Sequence, residues 1–184
     1  MKKASNKRLT PAARLTSAAM ATALGVLFMF AASVLPAGRL AFLFLASVVI
    51  WIPLNERGGF PTALLCYLAT AGLTFLLVSN KMYAGAYLIF FGLYGFIKLG
   101  VDMLIPDRVI AFVVKLIIMN GLAALALLLA TLILQQNVFS LIPEYPLYIA
   151  IPVLEAAFII YELLYSFMIA MFDDHLRDAL IPRR

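Results

Sequence analysis

Charge is what this chain has least of. Only 12% of its 184 residues are Asp, Glu, Lys or Arg, against about a quarter in a typical soluble domain. Hydrophobic residues make up 65% and the mean hydropathy is +1.05. A soluble globular protein is excluded, and so is a disordered one. Cysteine is nearly absent, Cys66 being the sole one, which excludes a disulfide scaffold. Ten glycines are too few for a collagen-like chain. Long polar stretches are missing as well: no run outside the apolar segments exceeds roughly 15 residues, whereas a separate catalytic or nucleotide-binding domain needs about 50. What remains is an all-α, polytopic membrane protein that acts within the bilayer or through partners.

Crossing about 30 Å of hydrocarbon at 1.5 Å per residue takes about 20 helical residues. Six runs are read as spans: Leu15 to Leu35, Leu40 to Leu54, Phe60 to Val78, Met82 to Ile105, Val109 to Leu134 and Leu147 to Phe172. The second is the shortest. A basic start followed by an apolar stretch also suits a cleaved signal peptide, but the run from Leu15 is longer than the usual apolar region of ~7 to 15 residues and reads as a retained helix. Proline placement supports the parse, because an interior proline removes a backbone hydrogen bond and clashes with the preceding turn. Pro11 and Pro61 fall in first turns, Pro36, Pro53 and Pro106 close helices, Pro143 and Pro146 lie in the fifth loop, and Pro182 lies in the tail. Pro152 implies that the sixth helix starts near Ile151 or kinks there.

Placing the N-terminus inside puts Lys2, Lys3, Lys7, Arg8, Arg14, Arg57, Arg108, Arg177, Arg183 and Arg184 on the cytoplasmic side, and only Arg39 and Lys81 outside. Lys98 and Lys115 lie within spans and snorkel inward. This asymmetry predicts an even number of helices with both termini cytoplasmic. The organisation expected is a basic tail over 1–14, a six-helix transmembrane domain over 15–172 and a cytoplasmic tail over 173–184. The net charge of +5 thus belongs to membrane flanks and does not point to nucleic acid.

Ionisable groups inside spans are costly and mark sites worth naming. At 100° per residue, Tyr83, Tyr87, Tyr94, Lys98 and Asp102 share about 100° of arc on the fourth helix, and Tyr148, Glu155, Glu162, Ser166 and Asp173 share about 40° on the sixth. Similar depths make Lys98 and Glu162 a candidate intramembrane pair. Lys115 and Asn120 are about 140° apart on the fifth helix, which predicts that they cannot both face one neighbour. Lys98, Glu162 and Asn120 form either a buried polar clamp or part of a proton or ion path. Glu155, in the outer half, must meet water, a cation or a partner. With Asn80, Lys81, Tyr83, Tyr87, Tyr145 and Tyr148 it would line an outward-facing mouth for a small organic ligand; an interfacial aromatic belt accounts for the tyrosines equally well. Gly85 and Gly92, seven apart, predict a close-packed face on the fourth helix. Asp173, Asp174, His175 and Asp178 read as a solvated tail, Gly58 and Gly59 as a turn, and Cys66 as packing. No catalytic constellation, metal site or cofactor motif is present in the sequence.

The first helix carries small residues along its cytoplasmic half, Ser17, Ala18, Ala19, Ala21, Thr22, Ala23 and Gly25, with Ala19 and Ala23 at i, i+4. In lipid, small residues let helices approach closely, so this is a docking surface within the fold or between subunits. The stretch LTSAAMATALG, Leu15 to Gly25, opening a short six-span protein with cytoplasmic ends, resembles the substrate-binding S components of energy-coupling factor (ECF) transporters. The resemblance covers most of the chain in architecture, and in sequence it rests on the small-xxx-small element at Ala19 and Ala23. The segment SNKMYAGAYLIFFGLYGFIK, Ser79 to Lys98, is also similar to small membrane proteins of Gram-positive bacteria, a likeness that names no function. The S-component resemblance implies a bacterial plasma-membrane protein with an outward-facing micronutrient pocket. It also implies that Ala19 and Ala23 dock on a transmembrane coupling subunit driven by two ATPases, with no enzymatic activity in this chain. The rival readings are a membrane scaffold or envelope-assembly factor, and an autonomous ion or proton-coupled carrier.

Overall fold

The computed structural model describes residues 11–56, 58–134 and 147–171, and all the regular structure within them is helical. The elements are α1 (Pro11–Val34), α2 (Arg39–Val49), α3 (Trp51–Leu54), α4 (Phe60–Leu77), α5 (Lys81–Ala86), a π-helical turn (Tyr87–Phe91), α6 (Gly92–Leu104), α7 (Arg108–Leu134) and α8 (Leu147–Met171). Among the described residues, five continuous helical stretches are long and apolar enough to cross a membrane; a sixth, Arg39–Leu54, is shorter. The expected second span is therefore two pieces. Pro53 has no N–H to return to the carbonyl four residues earlier, and the helix breaks at Ile50 before α3 resumes. At the other ambiguous position, α8 starts at Leu147 and carries Pro152 inside it, so the helix does not wait for Ile151. The basic tail before Pro11, Arg57, the fifth loop with Tyr145, and the C-terminal tail with Asp173, Asp174, His175 and Asp178 lie outside the described residues.

The chain divides into two compact units, Met1–Met103 and Leu104–Arg184. In the first unit, α1 packs on α2 and α4. Its buried positions are Ala18, Ala21, Gly25, Met29 and Ala32, spaced three or four apart along one face. Small side chains here permit close approach: a Cβ on Gly25 would stand 3.0 Å from Cγ2 of Thr70 on α4. In lipid, such contact gains van der Waals energy, since apolar burial alone drives little. Leu43, Ala46, Ile50 and Leu54 from α2–α3, Ala63, Tyr67 and Ala71 from α4, and Tyr87 complete the core. The turn into α4 needs its glycines. Gly58 has φ +74°, and a Cβ on Gly59 would fall 1.9 Å from the carbonyl oxygen of Pro53.

The π turn is the irregular feature of this unit. Gly92 N–H bonds the carbonyl of Tyr87, five residues back, and the hydroxyl of Tyr67 donates to the carbonyl of Leu88 at 2.6 Å. Tyr67 presses on this turn, with its ring where a Gly92 side chain would be. It also contacts the Tyr87 ring at 6.1 Å and the Phe96 ring at 5.9 Å between centroids. An extra residue in a helical turn rotates everything beyond it by about 100° relative to an uninterrupted helix. That overturns the expected close-packed face at Gly85 and Gly92. Gly92 is jammed against Tyr67, whereas a Cβ on Gly85 would meet nothing within 4 Å.

The second unit comprises α7 and α8. Phe112 and Phe158 pair at 6.3 Å, and Tyr161 lies 5.8 Å from Tyr165, which is fully buried.

Candidate functional site

Three of the residues expected to line an outer mouth are engaged by their own surroundings. Asn80 precedes α5 and its side chain accepts from the Met82 N–H at 3.0 Å, the bond that N-caps a helix. Lys81 reaches back to the end of α4, donating to the carbonyls of Phe75 and Val78, with its ammonium 5.2 Å from the Phe75 ring centroid. A cation at carbonyls left over at a helix C-terminus is favourably placed in the helix dipole. The hydroxyl of Tyr83 accepts from Arg39 at 2.9 Å, and the guanidinium lies 5.8 Å from the Tyr83 ring centroid. Arg39 also donates to the Leu35 carbonyl, so the single guanidinium joins the end of α1 to the start of α5.

Tyr87 does not reach a surface at all: it is 0% exposed and belongs to the core cluster. The tyrosine spacing on the fourth helix predicts one lining stripe, but Tyr87 packs against the Tyr67 ring within the core. Tyr148 lies in the first turn of α8, and its side chain is outside the described residues.

The second unit holds the densest polar chemistry. Lys115 donates to Glu162 at 2.8 Å, with side chains only 5% and 9% exposed. Asn120 donates to Glu155 at 2.8 Å and, with the same amide nitrogen, to the Leu116 carbonyl one turn back. Both partners of α7 thus lie on α8, which corrects the expectation that Lys115 and Asn120 cannot serve the same neighbour. Their Cα directions do diverge, but the flexible four-carbon Lys stem swings its tip round to the shared interface. Glu155 and Glu162 stand two turns apart on one face, and the order of the pairs is that of antiparallel neighbours. Glu155 meets the partner it requires in Asn120, while its other oxygen is buried and makes no hydrogen bond among the described residues. Lys98, in α6, stands 3.7 Å from Asp102, one turn on.

The first helix divides its small residues between two faces. Ala18, Ala21 and Gly25 are buried in the core of the first unit, whereas Ala19 and Ala23 are exposed together with Leu15, Met20 and Leu27. Near its start, Ser17 donates to Glu56 at 2.8 Å, and the Cys66 thiol donates to the Ala18 carbonyl at 3.4 Å. These bonds fix the first half of α1 to the α3–α4 turn and to α4. Glu56 and Tyr67 are polar anchors that sequence reasoning passed over. A tyrosine in the middle of an apolar span was the available signal, since a buried phenol needs an acceptor.

Among the described residues, no group of three or more His, Cys, Asp or Glu is arranged to hold a metal ion. No family model, curated protein or solved structure matches the chain.

Proposed function

We propose that the chain is a membrane-embedded, partner-dependent subunit of the ECF S-component type. In this reading it resides in a bacterial plasma membrane with both termini cytoplasmic, takes up a small organic ligand near the outer face, and docks through α1 on a transmembrane coupling subunit served by ATPases. The observation that carries the reading is the split of the α1 small residues. Ala18, Ala21 and Gly25 are consumed by intramolecular packing, while Ala19 and Ala23, one turn apart, are left exposed beside bulky apolar neighbours. A close-approach surface of this kind gains nothing from lipid tails and gains packing energy from another helix. The test is affinity purification of the tagged chain from its own host, followed by native mass spectrometry of the complex. Wild type should carry a coupling subunit and ATPases. Ala23→Trp should lose them while keeping the fold, because position 23 is outside the core; retention of the complex by Ala23→Trp refutes the docking role.

A scaffold reading is favoured by a different observation: Asn80, Lys81 and Tyr83 hold the unit's own helices together. Under that reading the purified protein carries no small molecule, and Glu155→Gln leaves function intact.

A further inference from the structure

The first unit contains an apolar groove of about 490 Å³ between α4 and the helix that follows it. Its floor is made of small residues, Ala71 and Gly72 on one side and Ala84 and Gly85 on the other, and its walls include Phe75 and Leu88. Cβ atoms placed on Gly72 or Gly85 would meet nothing within 4 Å, so the groove is unfilled by the described residues. It runs along α4 from position 68 to position 76, about 12 Å at 1.5 Å per residue. That is close to the depth of one leaflet, half of the about 30 Å hydrocarbon core. At its interfacial end the ammonium of Lys81 lies over the ring of Phe75, itself a wall of the groove. Two of the three ammonium hydrogens go to the carbonyls of Phe75 and Val78, and the side chain is exposed, leaving one donor and a full positive charge at headgroup level.

We propose that this groove is a binding site for one anionic phospholipid of the leaflet on the Lys81 side, its acyl chain lying over Gly72 and Gly85 and its phosphate meeting Lys81. Lipid tails gain no hydrophobic free energy by entering a groove from a bilayer. Residence therefore comes from shape and from charge, and the charge makes it selective. A partner helix is the poorer occupant, because it would continue across the whole span, whereas the groove stops near mid-bilayer and ends at a cation that an apolar helix does not answer.

The experiment is native mass spectrometry of the full chain released from mixed micelles of phosphatidylglycerol and phosphatidylcholine, with thermal melts of each variant as a check on folding. Wild type should retain one phosphatidylglycerol under activation that strips phosphatidylcholine. Lys81→Gln should lower the preference for phosphatidylglycerol about fivefold, the weight of one interfacial cation, and Lys81→Arg should keep it. Gly85→Leu, which adds a side chain into open space, should abolish retention of either lipid at wild-type stability. Equal retention of the two lipids by wild type, unchanged preference in Lys81→Gln, or a second copy of the chain bound in place of lipid and lost in Gly85→Leu would each overturn the proposal.

Discussion

Replacing Gly92 by alanine should destabilise the protein even though alanine is the better helix former. An added Cβ would stand 2.5 and 2.6 Å from two ring carbons of Tyr67 and 3.0 Å from the Tyr87 carbonyl oxygen. Carbon atoms rest about 3.5–4.0 Å apart, so the Tyr67 ring must retreat by about an ångström. Its hydroxyl is held 2.6 Å from the Leu88 carbonyl oxygen, and a movement of that size breaks the bond. Overpacking of a filled core costs about 1–3 kcal/mol, and the lost hydrogen bond about 1 kcal/mol. Alanine returns about 1 kcal/mol in helix propensity. The net expectation is a loss of about 1–3 kcal/mol, read from denaturant or thermal unfolding of the detergent-solubilised chain. Gly100→Ala and Gly72→Ala are the internal controls, because a Cβ at either position meets nothing within 4 Å. Both should match wild type or exceed it. If Gly92→Ala is as stable as these two, the account of the π turn as a wedge filled by Tyr67 is wrong.

Two further perturbations probe the second unit. Glu162→Gln leaves the Lys115 ammonium buried without its carboxylate and should cost about 3–5 kcal/mol, while the double change Lys115→Met with Glu162→Leu should recover most of that loss; a single variant that unfolds like wild type would deny the pair a structural role. Asn120→Leu strands the Glu155 carboxylate and should cost about 0.6–2 kcal/mol, the range of interhelical hydrogen bonds in membranes, with no further loss when Glu155→Gln is added; full additivity of the two changes would show that they do not share one interaction.

The apolar runs and the prolines made most helices legible, because hydrocarbon thickness and the missing proline N–H act locally. The same locality explains what was not legible. The π turn has no signature in the segment Tyr87 to Phe91; it depends on Tyr67, some twenty positions earlier, which takes the Leu88 carbonyl and occupies the space over Gly92. Reading the fourth helix as an unbroken 3.6-residue spiral therefore put Gly85 with Gly92, while Tyr87, which precedes the extra residue, is held in the core by the Tyr67 ring that no local pattern announces. Lys115 and Asn120 failed for another reason: an angular wheel locates Cβ atoms, whereas a lysine ammonium sits at the end of a long flexible stem. The polar residues of the expected mouth have roles within the fold that their types do not announce. Their chemistry is spent in part on helix ends, where Asn80 and Lys81 satisfy backbone groups that no residue-type pattern in the span could reveal.

The pairing of Lys115 with Glu162 and of Asn120 with Glu155 has a consequence for how this part of the chain is made. Lys115 stands two turns from the start of α7, near enough for its long stem to carry the ammonium to the interface, and α7 is synthesised before the α8 carboxylates that bury that ammonium in the folded chain. Neutralisation comes only when the two helices meet. α7 is apolar enough to enter lipid by itself, so what waits for α8 is the inward turn of the lysine: a chain stalled before Glu155 emerges should hold α7 in the membrane with the Lys115 ammonium at the interface, and only the full chain should shield that ammonium from amine-reactive reagents.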